Sequence, residues 1–264
     1  MSLSSLHWRS RVLDKQTSAQ VLLPDVGEGP FPVLYLLHGR SDDHTSWLRR
    51  TRIEVYASRL PLIIVMPDGQ RGFYTDNADG PAWARHIGEE LPAVTERFFP
   101  ARPDRGARAI GGLSMGGYGA LRVGLAYADR FCSVNSHSGA LGWARAEDGG
   151  TLDQAARRLG WDAATQAEMR RIFGDGGLRG GPHDPLLHAR EAKRAGRLPA
   201  LLLDCGTEDF LLESNRDFAR ELTEAGIPHE YREFPGAHTW DYWDLHVRDA
   251  LAFHAKNLGI EPVP

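Results

Sequence analysis

The sequence is poor in cysteine, with only Cys132 and Cys205 among its 264 residues. Each lies in an apolar run typical of a strand, where a reduced cysteine packs as a small hydrophobic side chain. We therefore assign neither cysteine a catalytic or metal-binding role.

The sequence also lacks an excess of positive charge, a long apolar run and a recognisable leader. Its 31 basic and 35 acidic residues give a net charge of −4, which does not favour nucleic-acid binding. The longest aliphatic runs, 33–37 and 62–66, are far shorter than the roughly 18 residues that span a bilayer. The N-terminus does not have the basic start, apolar stretch and cleavage site of a secretory signal. We expect a cytoplasmic protein without a membrane span.

The composition itself, 42% hydrophobic and 25% charged, is that of an ordinary globular protein, and the length fits one α/β domain over residues 1–264. Short β-rich runs alternate with helix-length amphipathic segments, which predicts a mostly parallel sheet with helices on both faces. The first two runs mix polar and apolar residues, which predicts an antiparallel N-terminal hairpin. The predicted strands are 6–13, 19–23, 33–37, 62–66, 107–110, 131–135, 200–204 and 229–233, and the predicted helices are 46–57, 85–99, 115–127, 213–225 and 240–255.

This alternation fails between residues 141 and 198, where the chain is charged and rich in alanine and glycine. Only one helix, over 164–172, is predicted inside this segment. We therefore interpret 141–198 as a small cap-like insertion over one end of the sheet.

A serine flanked by glycines follows the predicted strand 107–110. The segment reads Gly112-Leu113-Ser114-Met115-Gly116 and runs directly into a predicted helix. A serine in such a strand-to-helix turn needs small residues two positions before and after it, so that strand and helix approach each other. The pattern predicts Ser114 as a nucleophile and the N–H of Met115 as a donor to an oxyanion.

An acid and a histidine in the right chain order complete the pattern. Three carboxylates, Asp204, Glu208 and Asp209, lie at or just after the end of strand 200–204, and we favour Asp209 as the one that reaches the histidine. His238 lies on the loop before the last helix and is the predicted base. Its rival His137 also follows a strand but precedes every acid candidate in the chain.

The remaining histidines have weaker claims. His183 and His188 flank Asp184 at a spacing that suits neither a helical histidine pair nor a zinc loop, so we expect both at the surface and predict no metal. The others without a motif are assigned structural roles and are His7, His86, His229, His246 and His254.

The loop after strand 33–37 is the expected source of the second oxyanion donor. Gly39 allows this loop to turn sharply, and we predict the N–H of Arg40 as the donor. The Arg40 side chain is either an anion clamp or a charge facing solvent. Five aromatic residues on loops either border the pocket or pack in the core, namely Trp47, Phe73, Tyr74, Trp83 and Trp240.

With these motifs assembled, the chain resembles the α/β-hydrolase superfamily, within the group of esterase D, S-formylglutathione hydrolases, tributyrin and feruloyl esterases and the related antigen 85 mycolyltransferases. The motifs that carry the resemblance are 36–39 with Trp47, 66–69 with 73–76, 112–117, 205–211 and 236–240. It implies a catalytic triad of Ser114, Asp209 and His238, with the N–H groups of Arg40 and Met115 as the oxyanion hole.

The resemblance implies a serine carboxylesterase that cleaves small acyl or aryl esters through an acyl-enzyme, without cofactor or metal. Hydrolysis of thioesters such as S-formylglutathione and acyl transfer remain alternatives, because both use the same triad. A further alternative is a non-catalytic binding protein, against which the complete triad argues. Members of the group are often dimers or larger, which leaves a homo-oligomer open.

Overall fold

A computed structural model describes residues 1–142, 151–176 and 178–263 of the chain. Eight strands form one sheet in the order β1-β2-β4-β3-β5-β6-β7-β8. Their bounds are β1 Ser2–Ser10, β2 Lys15–Leu23, β3 Val33–Leu37, β4 Ile63–Pro67, β5 Arg108–Gly112, β6 Ser133–His137, β7 Ala200–Gly206 and β8 Glu230–Phe234. Strands β3 to β8 run parallel, whereas β1 pairs antiparallel with β2 and β2 antiparallel with β4. The predicted fold class, including the N-terminal hairpin, is confirmed.

The central strands are buried because helices cover both faces of the sheet. Strands β3 and β4 are buried at every residue, whereas the edge strand β1 alternates between exposed and partly covered residues. The helices are α1 Ser46–Arg50, α2 Ile53–Ala57, α3 Trp83–Arg85, α4 Leu91–Phe98, α5 Met115–Ala126, α6 Leu152–Leu159, α7 Ala163–Phe173, α8 Pro185–Arg194, α9 Leu212–Glu224 and α10 Trp240–Leu258. A π-helical turn over His86–Glu90 joins α3 to α4.

Two predicted helices differ in detail. The single helix predicted over 46–57 is two helices, because Thr51 is extended with φ of −134° and ψ of 170°. The Thr51 hydroxyl donates to the Trp47 carbonyl at 2.5 Å and accepts from the Ile53 N–H at 3.2 Å, so it ends α1 and begins α2. The helix predicted over 85–99 begins earlier, at Trp83, and contains the π-helical turn.

The segment 141–198 contains more helix than the one predicted over 164–172. Besides α7, its described part contains α6 and α8. Helix α6 begins with a capping box between Thr151 and Gln154, and α8 begins with Asp184 as N-cap and Pro185 as the first helical residue. These start signals are local, so they were available in the sequence. Part of the predicted insertion, residues 143–150 and 177, lies outside the described residues.

Candidate active site

Ser114 stands in a strained turn between β5 and α5. Its φ of 53° and ψ of −116° place a non-glycine residue at positive φ, a strain that persists at functional sites when the surroundings enforce it. A Cβ atom on Gly112 would lie 2.6 Å from the Gly116 carbonyl oxygen, and one on Gly116 would lie 2.5 Å from the Leu37 carbonyl oxygen. Both positions therefore require glycine, because the backbones of β3, β5 and α5 meet there.

Three side chains from separate parts of the chain form a hydrogen-bonded series. The Nε2 atom of His238 lies 3.0 Å from Ser114 Oγ, and its Nδ1 atom lies 2.8 Å from Asp209 Oδ2. Asp209 is buried, whereas the His238 side chain is 18% exposed and is open to a substrate. The structure thus brings together the serine, histidine and acid that the sequence analysis selected.

Asp209 is held as an ionised acceptor by its neighbours. Burial raises the pKa of this carboxyl, but hydrogen bonds from His238 and from the Leu211 N–H, at 2.8 Å, outweigh burial and lower the pKa below its usual range. A carboxylate facing Nδ1 fixes the imidazole with its other nitrogen, Nε2, toward the serine. The pair therefore has the electrostatics needed to orient a base.

The loops that carry the acid and the histidine touch each other after β7 and β8. A Cβ atom on Gly206 would lie 2.1 Å from the Gly236 carbonyl oxygen, so only glycine permits this approach. The His238 ring then lies between two aromatic rings, with its centroid 4.6 Å from Phe210 and 4.9 Å from Trp243. The Phe210 side chain that contacts the imidazole is itself 78% exposed.

The loop that contains Arg40 lies against the serine turn. A Cβ atom on Gly39 would lie 2.8 Å from Leu113 Cδ1 and 3.8 Å from Ser114 Cβ. This contact brings the backbone on both sides of Gly39 close to the serine, where an oxyanion donor is needed. The Arg40 side chain is 32% exposed and forms an ion pair with Glu168 of α7.

The rival acids and histidine occupy different environments. Glu208 is exposed, and its side chain accepts a hydrogen bond from the neighbouring Thr207 hydroxyl at 2.8 Å. Asp204 is buried and pairs with His137, whose Nδ1 atom lies 2.6 Å from Asp204 Oδ2. His137 precedes every acid candidate in the chain, yet it pairs with Asp204, because chain order does not restrict contacts between adjacent strands. The His137 side chain is nevertheless fully buried, and the imidazole hydrogen-bonded to the Ser114 hydroxyl is that of His238.

His183 and His188 were expected at the surface, but both are partly buried. His183 is half-buried, its Nδ1 atom lies 2.8 Å from the Thr75 hydroxyl, and burial lowers its pKa to about 4. The His188 side chain is 13% exposed and bonds to the Pro182 carbonyl oxygen at 2.9 Å. Within the described residues, no group of three or more His, Cys, Asp or Glu side chains is placed to hold a metal ion.

A cavity of about 420 Å³ opens beside Ser114. Of the five aromatic residues considered above, Phe73 lines it, whereas Trp47, Tyr74 and Trp83 are fully buried in the core and Trp240 packs on Trp47. Its other apolar lining residues are Met115, Ala140, Leu159, Trp161, Met169, Phe210 and Leu211.

Sequence reasoning missed the cavity residues of α6, α7 and the turn between them. Leu159, Trp161 and Met169 were unassigned because the segment carries no motif. The amphipathic pattern of α6 and α7, with apolar residues facing one side, was the signal available.

No described helix is long and apolar enough to pass through a bilayer.

Comparison with known proteins agrees with this geometry. The model of the Esterase family, described as "Putative esterase", matches residues 10–254. An acetyl esterase of Caldicellulosiruptor saccharolyticus is 31% identical over 97% of this chain and 99% of that protein. The S-formylglutathione hydrolase of Paracoccus denitrificans is 28% identical over 92% of this chain and 88% of that protein.

A solved structure is similar over almost the whole length. The fluorophosphonate-binding serine hydrolase FphF of Staphylococcus aureus is 28% identical with a TM-score of 0.81, covering 96% of this chain and 98% of its own. The family match spans more than half of the chain, which confirms the resemblance found in the sequence. The chain therefore belongs to the esterase family of α/β hydrolases and is a serine hydrolase that acts on carboxylic esters.

Proposed function

We propose that this esterase hydrolyses small acyl or aryl esters through an acyl-enzyme formed on Ser114. The observation that carries the proposal is the continuous hydrogen-bonded series from Asp209 through His238 to Ser114 at the wall of an apolar cavity. Each of these groups has the position that nucleophilic catalysis requires of it.

In the first half of the reaction, Ser114 Oγ attacks the ester carbonyl carbon while His238 Nε2 accepts the hydroxyl proton. Asp209 stabilises the imidazolium that forms, because its carboxylate faces Nδ1 at 2.8 Å. The tetrahedral intermediate carries its negative charge on the former carbonyl oxygen. The N–H groups of Arg40 and Met115 stabilise this oxygen in our proposal.

The intermediate collapses when His238 returns the proton to the alkoxide leaving group, and the alcohol departs. The acyl group is then bonded to Ser114 Oγ. A water molecule repeats the sequence, with His238 as the base, and releases the carboxylic acid and the free serine. The 3.0 Å distance between Nε2 and Oγ suits each of these proton transfers.

The cavity supports small acyl or aryl groups. Its volume of about 420 Å³ and its lining by Phe73, Trp161 and Met169 suit an apolar group of modest size. The relative named acetyl esterase, similar along its entire length, supports a short acyl chain. In this reading the segment 141–198 is a cap-like insertion within a single domain of residues 1–264, because α6 and α7 provide part of the cavity wall.

Thioester hydrolysis is the second candidate, and the similarity to an S-formylglutathione hydrolase favours it. The same triad attacks a thioester carbonyl, so only the leaving group distinguishes the two reactions.

We place the protein in the cytoplasm, which the free thiols of Cys132 and Cys205 support, because a reducing compartment keeps cysteines in this form.

Hydrolysis of p-nitrophenyl esters from acetate to laurate, with S-formylglutathione in parallel, tests the proposal. We expect turnover to fall with chain length and Ser114→Ala to lose more than about 10⁴-fold in kcat, because nucleophile removal has effects of this size. Ser5→Ala, which removes an exposed hydroxyl from β1, is the matched control. Undiminished activity in Ser114→Ala, or failure of a fluorophosphonate to label Ser114, would contradict the proposal.

A further inference from the structure

A cluster of three charged side chains joins α7 to the loop that carries Arg40. Glu168 of α7 pairs with Arg40 and also with Arg71, which follows β4; we call these three residues the Arg–Glu–Arg cluster. The Arg71 pair is bidentate, with Nε 2.6 Å and a terminal guanidinium nitrogen 2.7 Å from the two carboxylate oxygens. The oxygen that accepts the second of these bonds also accepts from Arg40. Both carboxylate oxygens of Glu168 therefore accept hydrogen bonds from arginine side chains.

The cluster is partly removed from solvent. The side chain of Glu168 is 17% exposed and that of Arg40 is 32% exposed. Burial raises the pKa of Glu168, but the hydrogen bonds from Arg71 and Arg40 outweigh burial and lower it. Glu168 is thus a charged anchor for two guanidinium groups that would otherwise repel each other.

Arg40 connects this anchor to the serine through its own backbone. A Cβ atom on Gly39 would lie 2.8 Å from Leu113 Cδ1 and 3.8 Å from Ser114 Cβ, so the backbone next to Arg40 lies close to Ser114. A shift of the Arg40 side chain can therefore reach the backbone beside the serine. Met169, the residue after Glu168, lines the cavity next to Ser114. Helix α7 is also bonded to the loop before α3. The N–H groups of Ala78 and Asp79 in that loop donate to the carbonyl oxygens of Ile172 and Arg171, at 3.0 and 2.8 Å. Glu168 therefore projects from a fixed helix.

We propose that Glu168 is a positioning residue for the oxyanion hole, which acts by holding the Arg40 side chain and thereby the Arg40 N–H. This inference rests on the proposed function, because it assumes that the Arg40 N–H faces the oxyanion. A donor of this kind stabilises the transition state more than the bound ester, so its displacement lowers kcat and leaves KM nearly unchanged. Small displacements of catalytic groups have large effects on rate.

The test is Glu168→Gln, which keeps the shape and removes the charge. Arg170→Gln is the matched control, because Arg170 lies on the same helix and pairs with Asp153 of α6, away from the Arg40 loop. For Glu168→Gln we expect kcat to fall about tenfold with KM within about twofold, as a weakened oxyanion donor requires. A boronic acid that forms a tetrahedral adduct with Ser114 should bind about tenfold more weakly. Arg170→Gln should change neither quantity.

A double-mutant cycle with Arg40→Gln separates positioning from general destabilisation. If the two residues act as one pair, each single variant loses about tenfold in kcat and the double variant loses no more than either single variant. Additive losses, a change confined to KM, or a Glu168→Gln variant equal to Arg170→Gln would overturn the inference. If Glu168→Gln does not fold, Arg40→Gln decides alone, and an unchanged kcat in it overturns the inference. A wild-type protein without ester turnover would instead contradict the proposed function.

Discussion

Among the histidine–carboxylate pairs of the described residues, two lie at or just after the carboxyl ends of neighbouring strands, and of these two only one faces the Ser114 hydroxyl. His238 and Asp209 are joined at 2.8 Å on loops after β8 and β7, and His137 and Asp204 are joined at 2.6 Å on β6 and β7. In each pair the imidazole uses Nδ1 toward the acid. The hydrogen bond between histidine and carboxylate therefore does not by itself distinguish an active site from a structural pair.

The difference lies in what surrounds the second ring nitrogen. The Nε2 atom of His238 meets Ser114 Oγ and is next to solvent. The Nε2 atom of His137 is buried and has no partner within the part of the chain that the structure describes. Asp204 also accepts from the Tyr242 hydroxyl at 2.9 Å, which ties α10 to the sheet. The buried pair connects layers of the fold, whereas the open pair can exchange a proton with substrate.

Replacement of the two histidines is the strongest way to break this comparison. His238→Gln should lower kcat by more than about 10⁴-fold, because the serine loses its base. His137→Gln should instead lower the free energy of unfolding by about 1 to 3 kcal/mol, because the buried Asp204 carboxyl loses its hydrogen bond with the imidazole. Urea unfolding and ester hydrolysis, measured on both variants, give the two quantities. Equal loss of kcat in the two variants would remove the distinction.

Replacement of the two acids is expected to have a smaller effect on rate. Asp209→Asn should lower kcat by about 10⁴-fold without moving the histidine, since an amide no longer stabilises the correct tautomer and the imidazolium. Asp204→Asn should leave kcat within about tenfold and reduce stability, because a single buried hydrogen-bonded group is altered. Steady-state kinetics with p-nitrophenyl acetate measures both. A larger rate loss in Asp204→Asn than in Asp209→Asn would mean that Asp209 is not the acid of the triad.

The smallest expected effect is the loss at acid pH of the contribution that Asp209 makes to the free energy of unfolding. The lowered pKa of Asp209 means that the unfolded state binds its proton first as pH falls, so this carboxylate stabilises the fold above the ordinary aspartate pKa of about 3.9. That contribution is lost as pH falls further, through the lowered pKa of the folded state. The stability difference between wild type and Asp209→Asn should therefore shrink as pH falls below about 5 and through the lowered pKa of the folded state. Urea titrations at several pH values measure it, and a constant difference would contradict the depressed pKa.

The sequence alone was sufficient for the mostly parallel sheet and for the serine turn, although the first strand is Ser2–Ser10 and not the predicted 6–13. The apolar runs of β3 and β4 have the composition of strands buried on both faces, and the antiparallel hairpin follows from the mixed pattern of the first two strands. Ser114 was identified because its turn has a local steric requirement for glycine at positions 112 and 116. Likewise, α5 follows directly from that turn. These features depend on residues that are close together in the chain.

Contacts between distant residues were decided only by the tertiary structure. Arg40 and Glu168 are 128 positions apart, and His137 and Asp204 are 67 apart, so no local pattern indicates either pair. The three helices in the described part of 141–198 likewise obtain their role from the surface that they cover. Periodicity and steric demand are properties of neighbouring residues, and they determined the sheet and the serine turn. The partner of a charge, and the wall of a cavity, depend on how the strands and helices pack, and here they were set by the folded chain.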